Sequence, residues 1–307
     1  MSSDGLTSVL ACPVERAPLH RDADGTWSGE CGHHYAPGQY GFLELFAPDD
    51  PARGLETVVG HCAAAQEHGG GRLYDAYLRD WLVAGGATRV LDAGCGPATT
   101  VGAMRADGLE AYGIDLPGAA RAWDAPAADH LVCGNVTRLP FADDAFDATT
   151  TIGVVEHVGT TTGHLTLAAD HREQRWRFAR ELVRVTRPGG RILLSCPNRW
   201  FPIDVQHGPN DDETHSAWRT RVFERTGLNV HPVTDGYHLA SYGDVARWFG
   251  TERWRPLPLA GYFGFAAFER QGALAAAGTA ARAYVEHLPA PLRRTPLNPY
   301  VLVEIVV

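Results

Sequence analysis

Apolar and polar positions along the chain fall into alternating blocks, and the blocks spell a strand–helix repeat. Arg89-Val90-Leu91 reads as the end of a strand, after which Asp92 and the small residues Ala93, Gly94, Cys95 and Gly96 break the run. Val101–Ala106 predicts a helix, and Glu110–Ile114 a second strand ending in Asp115. Leu131–Cys133, Phe146–Val155 and Arg191–Cys196 predict three more strands, the last an apolar run of the kind buried in a parallel sheet. Arg172–Thr186 predicts a long helix on which Glu173, Arg177, Glu181 and Arg184 form a solvated face. Tyr242–Phe249 predicts a helix before a sixth strand at Arg253–Leu257, and the β-branched run Tyr300–Val307 closes the chain as a seventh. Alternation of this kind predicts an α/β fold with a doubly wound sheet.

The flanks differ from this repeat. Within residues 1–50, short apolar stretches separated by Gly and Asp turns predict a small β-rich module. Residues 51–88 read as a helical linker: a short helix lies within 55–71, and Leu73, Tyr77, Leu78, Trp81 and Leu82 give helical periodicity up to Gly85-Gly86. The remainder, 89–307, holds two insertions, at 199–240 and 259–299. The second is rich in aromatic residues and predicts one or two helices forming a cap or a homo-oligomer surface.

A strand, a glycine loop and a helix in succession place backbone amides beside an anionic or ribose-bearing ligand. Asp115 follows Asp92 by about twenty residues, a spacing suited to a carboxylate that accepts from ribose hydroxyls. The two glycines do not have dinucleotide spacing. VLDAGCG at 90–96, YGIDLP at 112–117, GNVTRLPF at 134–141, FDATTTIGVVEHVG at 146–159 and ELVRVTRPGGRILLSCPN at 181–198 follow one another in an order that resembles class I S-adenosylmethionine-dependent methyltransferases, from about Tyr74 to Asn198.

That resemblance implies a Rossmann-like sheet of seven mostly parallel strands, with the seventh inserted antiparallel. It also implies S-adenosylmethionine as cofactor, its amino-acid end near Asp92, Gly94 and Gly96, its ribose on Asp115 and its adenine beside Leu116, with Val136 a further cofactor contact. Asn135 stands where the family usually carries an Asp that contacts the adenine amino group; its side-chain oxygen can still accept. Val154 lies near the fourth strand's carboxyl end, which faces the methyl-transfer centre. Tyr77, with Tyr74, is placed at the cofactor entrance or in the core. His157 is a candidate base.

Past the fifth strand, Arg199 to His207 resembles a stretch of methyltransferases from glycan, lipid-carrier and small-molecule pathways. Asp204 and His207 are three residues apart; they either form a carboxylate-oriented imidazole base or pin a loop. The N-terminal module resembles a degenerate zinc ribbon in which Glu15 and His34 replace two cysteines. Cys12, Glu15, Cys31 and His34 then form a possible zinc set, with His33 able to replace His34. Without metal, Leu10, Leu19, Trp27 and Tyr35 hold the module as an apolar mini-core.

Composition narrows the partners. A 45% hydrophobic share over 307 residues supports a sizeable core, and a net charge of -9 with no basic tract argues against an extended phosphate footprint. The N-terminal residues lack a signal-peptide core, and no run reaches the roughly 18 apolar residues of a membrane span. Six cysteines without a framework fit a reduced, cytoplasmic protein. The expected activity is methylation of a small-molecule acceptor of specialised metabolism, such as antibiotic biosynthesis, at O or C ahead of N. The alternatives are an rRNA or tRNA methyltransferase, because zinc ribbons also precede RNA-modifying enzymes, and a non-catalytic methyltransferase-like binding protein.

Overall fold

Gly and Asp turns cut the N-terminal segment into strands two or three residues long. In a computed structural model, which describes residues 5–54, 70–161, 166–204, 206–208, 216–262 and 275–307, β1 (His20–Arg21), β2 (Trp27–Ser28) and β3 (His34–Tyr35) form an antiparallel sheet with Trp27 opposite Tyr35. The next strand, β4 (Leu43–Leu45), leaves that sheet and joins the edge of the main one. Residues 55–69 of the stretch expected to hold a short helix, with His61, Cys62 and His68, lie outside the described residues, as do residues 263–274 of the aromatic insertion.

The helix ahead of the first core strand is already helical at residues 70–73, passes through one π turn, Tyr74–Leu78, and continues as α1 (Arg79–Ala84). It buries Leu73, Tyr74, Leu78, Trp81 and Leu82, as the periodicity requires, while Tyr77 is partly exposed. β5 (Arg89–Ala93), α2 (Thr99–Ala106), β6 (Glu110–Asp115), β7 (Leu131–Gly134), β8 (Phe146–Ile152), α3 (His171–Val185) and β9 (Thr186–Pro197) follow. β10 (Ile203–Asp204), α4 (Ala217–Thr226) and β11 (Asn229–Val230) make a small antiparallel excursion. α5 (Tyr242–Phe249), β12 (Trp254–Pro256), α6 (Ala275–Glu286) and β13 (Tyr300–Val306) complete the chain.

The main sheet has eight strands in the order β12-β13-β9-β8-β5-β6-β7-β4. Seven are the strands expected from the sequence, with β13 antiparallel to both neighbours. The eighth is β4, parallel to β7 with Leu43 opposite Val132. The final stretch of the N-terminal segment is thus part of the main sheet. β8 stops at Ile152, short of the expected Val155, because Gly153 turns at φ +68.

Two apolar layers cover the sheet. One combines Leu10, Trp27 and Tyr35 of the N-terminal segment with Phe178, Leu182 and Val185 of α3; the other packs Leu78, Trp81, Val101 and Met104 against the opposite face. Only part of the solvated face expected on α3 is solvated. Glu173 and Arg177 are an exposed pair, whereas Glu181 is buried, takes both guanidinium nitrogens of Arg16 at 2.9 Å and accepts from the Leu139 amide at 2.8 Å. Chain order runs outward from β5 through β6 to β7, then restarts with β8 on the other side. The carboxyl ends of β5 and β8 therefore flank the switch point at which open α/β sheets bind ligands.

Candidate active site

The loop leaving β5 is built by two left-handed glycines, Gly94 at φ +87 and Gly96 at φ +52. A Cβ on Gly94 would stand 2.3 Å from Cγ2 of Val154, so the loop from β5 and the turn after β8 approach as closely as only glycine allows. The Gly96 amide donates to Asp115 Oδ2 and the Leu116 amide to Oδ1, both at 2.7 Å. Each Asp115 oxygen keeps a lone-pair site for a ligand hydroxyl. Burial pushes the Asp115 carboxyl up to about 6, with the two amides opposing it. Asp92 is also buried, accepts from Thr150 Oγ1 at 2.9 Å and is raised to about 7 by burial, with Asp115 adding to the rise. Trp123 Nε1 donates to the Gly96 carbonyl at 2.7 Å and pins the loop.

Leu116 and Val136 are partly buried against the core on either side of this region. Asn135 is bound on both ends of its amide. Its oxygen accepts from the Thr137 amide at 2.9 Å and hydroxyl at 2.8 Å, and its nitrogen donates to Asp50 at 2.9 and 3.1 Å. The carboxylate in this corner therefore belongs to Asp50, in the N-terminal segment. Tyr77 donates to the Pro258 carbonyl at 3.0 Å and meets the Tyr262 ring edge-on. Tyr74 turns to Asp107, at the far end of α2, which accepts from its hydroxyl at 2.9 Å.

Beyond Val154 the turn 155–159 carries Glu156 and His157, and these meet residues from the 199–240 insertion. Asp204 ends β10, and its Oδ1 accepts the Gln206 and His207 amides at 3.0 Å each, so the pair forms a tight loop rather than a helical turn. The same carboxylate lies 3.0 Å from His207 Nδ1. His207 Nε2 lies 3.3 Å from His157 Nε2, and the His207 and His238 rings meet edge-on at 5.0 Å. Glu156 and His238 are fully buried. Arg175 of α3, also buried, donates to the Glu156, Val158 and His238 carbonyls and braces the turn.

Burial raises the Glu156 carboxyl to about 7, with His207 opposing. Burial and the neighbouring His207 and His238 push His157 well below the usual imidazole range. Burial lowers His238 to about 4. Burial works against His207 too, but Asp204 and Glu156 carry it above the usual value. Burial would raise Asp204, yet His207 and His238 hold it below the carboxylate range.

The structure thus brings together Asp204, His207 and His157, all three singled out by sequence, and adds Glu156 and His238. His238 lies far from His207 in sequence, beside a turn, and no spacing rule points to it. In the N-terminal module, Cys12, Cys31 and His33 converge, their ligand atoms within 4.8 Å of one another. Glu15 and His34 are outside that group. Tyr35 is buried with its hydroxyl 3.1 Å from Cys12 Sγ, and strand alternation puts His33 on the same face and His34 in solvent. The Val14 and Glu15 amides both donate to Cys12 Sγ at 3.4 Å, so Glu15 contributes its backbone rather than its carboxylate. The five described cysteines are free thiols, and no helix among the described residues is long and apolar enough to cross a membrane.

Residues 91–194 match the family model described as a methyltransferase domain. An uncharacterized methyltransferase of Mycobacterium sp. (strain JLS) is 31% identical over 153 residues, 49% of this chain and 52% of that protein. The demethylmenaquinone methyltransferase of Beutenbergia cavernae is 32% identical over 142 residues, 45% of this chain and 53% of that protein. The chain spans about half the length of these curated relatives. Among solved structures, an S-adenosylmethionine-dependent methyltransferase from Archaeoglobus fulgidus aligns with 80% of this chain and 98% of its own at 15% identity and a TM-score of 0.42. The strand order gives the chain an α/β Rossmann-like fold, within which residues 91–194 match a methyltransferase domain, and S-adenosylmethionine is the cofactor expected of such a domain.

Proposed function

We propose that this chain methylates a small organic acceptor of specialised metabolism from S-adenosylmethionine, at oxygen or carbon in preference to nitrogen. One observation carries the reading: the glycine loop after β5, whose Gly96 amide binds Asp115 at the end of β6, lies at Gly94 against Val154, three residues before His157. A cofactor cradle and a histidine cluster therefore share the switch point.

Asp115 would hold the ribose, the amides of the glycine loop the amino-acid end, and Leu116 and Val136 the adenine, with Asp50 beside Asn135 as the acceptor for its amino group. Bound, S-adenosylmethionine supplies an electrophilic methyl on a sulfonium, so in-line placement of the acceptor is worth much of the rate. An acceptor hydroxyl or acidic C–H must also lose a proton. His207, held in one tautomer by Asp204, and His157 are the residues that act on that proton, with Glu156 and His238 completing their surroundings.

The net charge of -9 and the similarity to a demethylmenaquinone methyltransferase support a small acceptor over RNA. Free thiols support a reducing, cytoplasmic setting. The test is incubation with methyl-labelled donor and fractionated small-molecule extracts, tracing the labelled product. Label in a small organic ether or C-methyl product supports the reading; label only in RNA overturns it. With the acceptor in hand, His207→Ala should lower kcat about 100-fold or more while cofactor affinity stays within a factor of a few.

A further inference from the structure

We infer that the cluster after β8 is a site for a first-row divalent transition-metal ion, held by Glu156, His157 and His207. This inference rests on the acceptor reading above and gives the histidines a different way of serving it.

Geometry supplies the first argument. Glu156, His157 and His207 each offer a ligand atom, and these lie within 4.8 Å of one another. The two Nε2 atoms stand 3.3 Å apart. Two imidazole nitrogens on a tetrahedral ion, each about 2.0–2.1 Å from it, are separated by roughly 3.3–3.4 Å.

The second argument is polar satisfaction. Glu156 Oε2 and His238 Nε2 are buried in fully buried residues and have no hydrogen-bond partner, and His157 Nδ1 also lacks one. Buried polar atoms normally find partners, because leaving one without costs about 1–3 kcal/mol. Of these, Glu156 Oε2 belongs to a proposed ligand and points to a missing partner; His157 Nδ1 lies across the ring from Nε2, and His238 Nε2 faces Asp204 Oδ2 at 3.7 Å, so neither bears on the ion. Glu156 Oε1 is steadied by Gln206 Nε2 at 3.3 Å, and Gln206 is held in turn by the Tyr300 hydroxyl at 2.7 Å, which leaves Oε2 to face the ion.

The third argument is the outer shell. A metal-bound histidine usually donates its other ring N–H to a carboxylate, which fixes the ring and strengthens the ligand. His207 Nδ1 lies 3.0 Å from Asp204 Oδ2, with Asp204 buried and its other oxygen taking two amides. His238 Nε2 is 3.7 Å from the same oxygen and backs His207 from the far side. Two imidazoles and one carboxylate suit zinc, iron(II), cobalt or manganese rather than calcium. Three protein ligands also leave coordination positions open. In the loaded protein a hydroxyl-bearing acceptor bound there would ionise more readily, and the imidazoles would act on it through the ion instead of taking its proton directly.

Cobalt(II) titration of the full chain, followed by absorption and equilibrium binding, tests this beside S-adenosylmethionine calorimetry. The Cys12→Ser/Cys31→Ser chain removes the N-terminal thiolates and should still take up one cobalt per chain, with a d–d spectrum free of thiolate charge transfer. The wild type should show the same component. Glu156→Gln and His157→Ala should each abolish that component, and Asp204→Asn should weaken it about 10- to 100-fold, all with cofactor affinity within a factor of a few. Cofactor binding without any thiolate-free cobalt component, in wild type and Cys variant alike, overturns the metal site and leaves the cofactor reading standing. Undiminished uptake in both Glu156→Gln and His157→Ala also overturns it. Cobalt uptake without cofactor binding supports the metal site and removes the cofactor reading.

Discussion

At Gly94 a hydrogen atom stands where any side chain would run into Val154, in the loop proposed to hold the cofactor. An alanine methyl there would lie 2.3 Å from Val154 and would have to hold φ +87, a region costly for any residue with a Cβ. Gly94→Ala should weaken S-adenosylmethionine binding more than tenfold and lower the melting temperature; calorimetry and a thermal scan read both, and unchanged affinity would place the ligand elsewhere. Asp115 adds a pH signature. Its carboxyl is lifted to about 6 by burial, and a carboxylate accepts from ribose hydroxyls while the acid form loses acceptor capacity. Cofactor affinity should therefore hold above pH 7 and fall as pH drops through about 6, with a shallower fall in Asp115→Asn. Asn135 makes the opposite case. An Asp here would set a second carboxylate about 2.9 Å from that of Asp50, where an amide now donates. Asn135→Asp should cost about 1–3 kcal/mol, and adding Asp50→Asn should recover most of it. Urea melts of the three chains measure the cycle. The glycines and Asp115 were legible because the chemistry is local: a strand end, a tight loop, a carboxylate on the next strand. Asp50 and His238 were not, because only tertiary packing brings them to Asn135 and Asp204, and neither sits on a periodic face.

At the scale of elements, Asp147 ties the start of β8 to its neighbours. It accepts from the Thr88 amide and hydroxyl, from the Arg89 amide and from Arg187 Nε, at 2.6–2.8 Å. Although burial opposes it, these donors hold the Asp147 carboxyl below the usual carboxylate range. A folded-state value below that of the unfolded chain, about 3.9, gives stability that is complete above pH 5 and lost as pH falls toward the folded value. Asp147→Asn should thus lose about 1.5–3 kcal/mol at pH 7 and a smaller part of that near pH 2. Denaturant melts at both pH values check this, and an equal loss at both would deny the charge its role. Strand and helix periodicity found these elements well. It read the apolar stretch that holds β4 as part of the N-terminal module and missed its place in the main sheet, because the partner, Leu131–Gly134, is distant in sequence. It ran β8 three residues long, because Val154 and Val155 continue the apolar run past the turn that Gly153 makes.

Across the whole molecule, the N-terminal segment is bound into the core. Leu10 bridges to Phe141, the Ala11 amide donates to Pro140, Arg16 pairs with Glu181, and β4 extends the sheet. A chain starting at residue 51 should therefore melt well below the full chain or fail to stay soluble, whereas a separable module would leave the melting temperature nearly unchanged. The segment also supplies Asp50 to Asn135, beside the proposed adenine site, so fold and proposed site share this dependence. The central claim is that the β5–β6 cradle holds S-adenosylmethionine through Asp115, and calorimetry of the full wild-type chain against Asp115→Ala tests it most directly. One cofactor per wild-type chain, with affinity reduced about tenfold to 150-fold in the variant, corresponding to about 1.5–3 kcal/mol, is the predicted result; equal affinities in the two chains, or no binding to the wild type, would contradict it.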